Sequence, residues 1–220
     1  MPYPLDVRQN SVLAQVENQK ARGIASRLGI QVVEDFYTHM ALAGYAYQVR
    51  AGTITTPLVG DVVITDTAAE LSVDADTLAC VIPVSLQIST RLLTGTLHEY
   101  AAKSVAAIST VGTAFVPLAL RSAGGQTLPA TITARVSAAG GVTVAAELAT
   151  TTLRHWEHAN PAAGATGALP TTNIVPAWEP RMPPVLVGPR CFYLQVAATG
   201  TGPSYCAHVD FLGCLAALIL

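Results

Sequence analysis

Cys191-Phe192-Tyr193-Leu194-Gln195-Val196 and Thr131-Ile132-Thr133-Ala134-Arg135-Val136 carry the reading of the fold. In the first, Phe192, Leu194 and Val196 share a face. In the second, Ile132, Ala134 and Val136 lie opposite Thr131, Thr133 and Arg135. Successive side chains of an extended chain point to opposite sides, so this alternation predicts half-buried strands. The same texture of Val, Thr, Ile and Ala runs from Tyr45 onward. It predicts strands over Tyr45 to Ile54, Asp61 to Ile64, Glu70 to Val73, Cys80 to Ser89, Thr96 to Ala102 and Ala114 to Leu120. Further strands are predicted over Val142 to Leu153, Pro184 to Val187 and Tyr205 to Phe211. Ala123-Gly124-Gly125, Ala139-Gly140-Gly141 and Gly200-Thr201-Gly202-Pro203 are turn material, and the Gly140-Gly141 pair reads as a hairpin. Many short strands without helices between them predict a mainly β fold, an antiparallel sandwich or barrel. Parallel βαβ crossovers would need the missing helices.

Residues 1–44 differ. Leu13, Val16, Ile24 and Leu28 approximate a helical stripe, and Val33, Phe36, Tyr37 and Met40 give a second one ending at Gly44. The predicted organisation is a short helical N-terminal arm over 1–44 and a β-sandwich over 45–220. Arg8, Lys20, Arg22 and Arg27 against Asp6 and Glu17 leave only a small positive surplus, so a solvated helix face is the reading and direct genome or nucleic-acid binding is expected to be weak or absent. Residues 159–181 read as a long loop that carries no charge until Glu179. The last ten residues, Phe211 to Leu220, have no charged side chain. An uncharged end is expected to be a buried strand or a contact with another subunit.

Composition narrows the class. The chain has 220 residues, 51% of them hydrophobic and only 12% charged, with net charge −2. This suits one domain, or a domain with an arm, and excludes general disorder and a strongly basic nucleic-acid binder. No run reaches the length of a transmembrane helix, and the N-terminus lacks an apolar signal core, so folding in a cytoplasm or export without leader cleavage is expected. A soluble chain so poor in charge needs cover for its apolar surface, and other copies of itself are the expected cover.

No catalytic motif emerges, and no enzyme, cofactor or metal is expected. There is no G-x-S-x-G elbow, phosphate loop or H-E-x-x-H helix. His155 and His158 could share a metal on a helix, but on a strand their spacing puts them on opposite faces. His208 and Asp210 share a strand face with Ser204 nearby, without the geometry that a triad demands. His98 and Glu99 would point oppositely on a strand. Asp61, Asp66, Glu70, Asp74 and Asp76 read as an exposed, turn-forming acidic stretch. Trp156, Trp178, Tyr193 and Tyr205 could form a sugar platform but read better as core or interface. Cys80, Cys191, Cys206 and Cys214 lack a C-x-x-C spacing and read as buried thiols.

The strand-and-turn series from Tyr45 to Leu220, the arm before it, and stretches such as Ser109-Thr110-Val111-Gly112-Thr113-Ala114-Phe115-Val116-Pro117-Leu118 resemble the coat proteins of viruses and bacteriophages, especially the single jelly-roll capsid proteins. The resemblance implies two facing four-stranded sheets and self-assembly into a homo-oligomer, such as an icosahedral shell. It also implies contacts with other virion proteins and a virion assembled in the host cytoplasm. The expected assembly contacts are Leu13, Val16, Leu28, Phe36 and Met40 in the arm and Leu215, Leu218 and Leu220 in the tail, with residues 1–44 and 211–220 each a separable assembly element whose deletion leaves a folded β-domain. A phage decoration, tail or fibre protein forming a trimer or ring is the alternative. A carbohydrate-binding β-sandwich and a sandwich-fold or cupin-like enzyme stand behind it.

Overall fold

A computed structural model describes residues 36–92, 97–121, 126–137, 141–146, 150–159, 176–200 and 202–218. Helix α1 (Phe36–Leu42) precedes β1 (Ala46–Ala51), β2 (Leu58–Val59), β3 (Ala68–Ala69), β4 (Leu71–Ala75), β5 (Ala79–Leu92) and β6 (Leu97–Val105). There follow β7 (Thr113–Phe115), β8 (Leu118–Ala119), β9 (Ile132–Val136), β10 (Val142–Thr143) and β11 (Thr150–Ala159). The chain then forms β12 (Ala177–Trp178), β13 (Leu186–Val187), β14 (Arg190–Ala198), β15 (Ser204–Leu215) and a 3-10 turn, Ala216–Leu218.

The strands form an antiparallel sandwich. One sheet runs β12-β5-β15-β1-β8, with β13 also on β5 and β2 on β15. The other runs β11-β6-β14-β4-β9-β7, and β10 and β3 make a separate ribbon. Eight strands in chain order, β1, β4, β5, β6, β11, β12, β14 and β15, define the winding. First pairs with eighth, second with seventh, third with sixth and fourth with fifth. Third also pairs with eighth, and fourth with seventh. Such nested pairing is a long hairpin rolled into two sheets, the jelly-roll winding.

Apolar alternation drives this closure. Tyr47 and Val49 of β1, Leu71 and Val73 of β4, Leu86 and Ile88 of β5, Tyr100 of β6, Phe192, Leu194 and Val196 of β14, and Tyr205, Val209 and Phe211 of β15 meet between the sheets. Trp178 stacks on Phe192 at 5.9 Å, and Tyr47 lies 5.8 Å from Phe211. Each such side chain contributes about 1.5–3 kcal/mol on burial.

Some sequence expectations need correction. β14 and β4 are buried along both faces instead of one. The outer side of β14 lies under the β3–β10 ribbon, where Ala69, Val142 and Val144 pack with Cys191, Tyr193 and Val105, and on the outer side of β4 Ser72 and Asp74 bond to Ser109. Gln195 Nε2 also donates to the carbonyls of Thr65 and Ala68, at 2.6 and 2.7 Å. Residues 61–64 form no strand; Asp61 makes a single bridge to Ala197. The stretch Ala114 to Leu120 is divided at Pro117, which lacks an N–H for a ladder, and its halves join different sheets. Gly140-Gly141 does not close a hairpin: β9 pairs with β4 and β7, whereas β10 pairs with β3. The predicted strand Val142 to Leu153 is likewise two strands, β10 and β11, in separate sheets. The two facing four-stranded sheets are therefore widened by material from the connections.

Helix α1 lies on the outer side of the β1-bearing sheet. Gly44, at φ 91°, stops it in the left-handed conformation, and Tyr45 N–H bonds back to the Met40 carbonyl at 3.0 Å. At the opposite end Gly202 passes so close to the Gly60 carbonyl that a Cβ would lie 1.7 Å from its oxygen. Glycine is required there by the backbone approach.

Candidate functional site

In an antiparallel winding, alternate connections fall at opposite ends of the sandwich. One end therefore gathers α1, the β4–β5 turn, the connection after β6, the β12–β14 connection and the C-terminal 3-10 turn. Backbone bonds tie these together: Ala216 N–H to the Leu78 carbonyl (2.8 Å), Gly188 N–H to Ala79 (3.0 Å) and Leu120 N–H to Ala46 (2.9 Å).

Large apolar side chains are exposed at this end and along the adjoining edge. They include Leu78 (72%), Val116 (82%) and Met182 (89%), together with Ile108 and Leu120, while Val111 (64%) is exposed toward the opposite end, beside Gly112 and Val136. Leu78 and Val111 are also the two non-glycine residues with positive φ among those described, at 66° and 59°. A side chain with a Cβ is disfavoured in that region by about 1–2 kcal/mol, and glycine or asparagine is its usual occupant. Here the backbone is strained at two positions that both present an apolar group to solvent.

Of the predicted assembly residues, Leu13, Val16, Leu28 and Leu220 lie outside the described residues. Phe36, Leu215 and Leu218 are exposed at the end just described. Met40 is different. It is buried against Cys80, Ile82, Leu212 and Cys214 of its own sheet, because α1 turns this side chain inward. The tail is not a separable element either. Phe211 to Leu215 belongs to β15, a strand held on both sides by β1 and β5.

The acidic stretch is not uniformly exposed. Asp74 is buried on the outer face of β4, where it accepts from Ser109 N–H (2.8 Å) and Ser109 Oγ (2.6 Å), with Arg135 Nε at 4.0 Å. Glu70 is buried at the other end of β4 and accepts from the Tyr205 hydroxyl at 2.8 Å. Burial pushes the Glu70 carboxyl up to about 7, with Asp61 adding to the rise and the Tyr205 hydrogen bond opposing it. Burial likewise lifts Asp61, and burial with the Glu70 charge lifts Tyr205 well above the phenol range. Asp76 and Asp66 remain exposed, as expected of turn residues.

The aromatic platform does not form. Tyr193 and Tyr205 are fully buried, and Trp156 and Trp178 pack partly buried against the core. Ser204, His208 and Asp210 lie on the outer side of β15. Four residues of strand separate Ser204 from His208, roughly 13 Å at the usual rise, and Asp210 is held by Gln48 Nε2 (2.8 Å) and Ser85 Oγ (3.1 Å). Cys80 sits opposite Cys214, both buried, and a hydrogen bond to Cys214 together with burial raises the Cys80 thiol. Cys191 is buried and raised by desolvation, and Cys206 is half-buried.

Edge strand β11 carries the remaining cluster. His155 and His158 fall on opposite faces, as the strand spacing dictates. His158 stands opposite His98, and Glu157 stands opposite Glu99. His155, two residues along, joins that carboxylate pair with Nδ1 at 3.7 Å from Glu157 Oε1. One ligand atom from each of Glu99, His155 and Glu157 lies within 4.8 Å of the others. Sequence reading missed Glu99 as a partner because only the β6–β11 register brings it there.

Comparison with known protein families, curated proteins and solved structures gave no match.

Proposed function

We propose that this chain is a structural coat protein whose copies assemble side by side into a shell. The observation that carries the reading is exposed apolar surface on the connections of the jelly roll: Leu78, in the β4–β5 turn, and Val111, in the connection after β6 toward the opposite end, are held at positive φ with their side chains in solvent. Strain of this kind persists where the surroundings enforce it, and it clusters at functional contacts. Apolar contacts at these connections would relieve exposure that a charge-poor chain cannot cover with polar groups. The jelly-roll winding supports the same reading, since its two sheets leave the connections as the natural contacts between neighbours. The mechanism is burial of these apolar connections between copies, each contact weak and multiplied by symmetry.

Electron microscopy and light scattering on the purified full chain test this. Closed particles or regular sheets are the expected result. A discrete trimer or ring would move the chain to a decoration or fibre role, and a monomer at every concentration tested would overturn assembly altogether.

A further inference from the structure

The geometry points to a divalent-cation site of the zinc class on the outer face of the β6–β11 pair, formed by Glu99, His155 and Glu157. It does not depend on the coat-protein reading.

The first argument is placement. Two carboxylates and one imidazole converge from neighbouring strands, with their ligand atoms within 4.8 Å of one another. A tetrahedral shell with bonds of about 2.1 Å sets neighbouring ligand atoms about 3.4 Å apart. His155 Nδ1 and Glu157 Oε1 are already at 3.7 Å. The His155 and Glu157 side chains are 41% and 59% exposed, so rotation of free side chains closes the remainder without moving a strand.

The second argument is charge. Glu157 and Glu99 are register partners, and like charges directly opposite on a sheet repel. Two cations of these strands, among the described residues, are set apart from the pair. Arg154 lies beside Trp156, 5.7 Å from its ring centroid, and alternates to the other face of β11. Lys103 shares the face of Glu99 but lies four residues along β6, roughly 13 Å away. The other strand neighbour of Glu99 is Ala197. A bound dication would turn this repulsion into attraction.

The third argument is ligand chemistry. A neutral imidazole with two carboxylates favours zinc or a related transition ion over magnesium or calcium, which prefer all-oxygen shells. Three protein ligands leave a position open to solvent, available to water or to a group from another molecule.

Zinc titration of EDTA-treated full chain, by calorimetry, tests the site. About one equivalent is expected, retained in excess magnesium. His155→Ala and Glu157→Gln should each weaken binding on the order of tenfold or more. His158→Ala, on the opposite face, should leave it unchanged. The His155 imidazole resonance should shift on zinc addition while that of His208 stays. The inference is overturned if zinc fails to bind, if His155→Ala binds as wild type does, or if His158→Ala loses binding to the same extent.

Discussion

Replacing Glu70 by Gln should make the protein more stable above neutral pH. Glu70 is 3% exposed, and its Oε2 accepts the Tyr205 hydroxyl across 2.8 Å. Burial lifts its carboxyl from 4.5 to about 7. The folded chain therefore holds a proton that the unfolded chain has already released. Between those two pH values the unfolded state binds fewer protons, so stability falls as pH rises, and above about 7 the loss is complete. At about 1.4 kcal/mol for each pH unit between the folded and unfolded pKa, the ionised Glu70 withholds about 3 kcal/mol at pH 8. Gln keeps the shape and the carbonyl acceptor for Tyr205 but never ionises. Glu70→Gln should match wild type near pH 4 and exceed it by about 3 kcal/mol near pH 8. Urea unfolding of dilute full chain across this range, followed by Trp156 and Trp178 fluorescence, measures the difference. The residual slope of the variant reports Asp61, the neighbouring acid also raised by burial. A variant less stable than wild type at pH 8, or one with an unchanged slope between pH 5 and 7, would refute the reasoning.

Leu78→Asn should separate folding from assembly. Asparagine tolerates the positive φ of that turn, so the folded chain should gain up to about 1 kcal/mol in urea unfolding, while light scattering should show weaker association. Loss of stability together with unchanged association would contradict the role given to Leu78. Asp74→Ala should cost about 3 kcal/mol in the same unfolding assay, because Ser109 N–H loses its buried carboxylate acceptor. A change below about 0.5 kcal/mol, the size of an ordinary surface effect, would show that Asp74 does not hold the loop.

The strands most legible in the sequence were those with a long apolar alternation. Cys191 to Val196 and Tyr205 to Phe211 were recognisable because one face must be apolar wherever two sheets meet. Gly44 was legible as a helix stop for an equally local reason. The failures share a different cause. Glu70 and Asp74 read as exposed because acidic residues next to turn signals normally are. Their burial depends on Tyr205, which is 135 residues from Glu70, and on Ser109, which is 35 from Asp74. Gly140-Gly141 looked like a hairpin because the local pattern cannot say to which sheet each flanking strand goes. Met40 looked like a contact for another copy because a helical stripe does not reveal what it covers.

The sequence by itself determined the class: an antiparallel sandwich, because period-two alternation with frequent turns allows little else. Tertiary structure alone decided the winding, since nested pairing of first strand with eighth and second with seventh joins residues far apart in the chain. It also decided which polar groups meet. Glu99 reaches His155 and Glu157 only through the register of β6 on β11, and a shift of one residue would send them to opposite faces. Alternation is a property of neighbours in sequence, whereas register is set by packing of the whole sandwich.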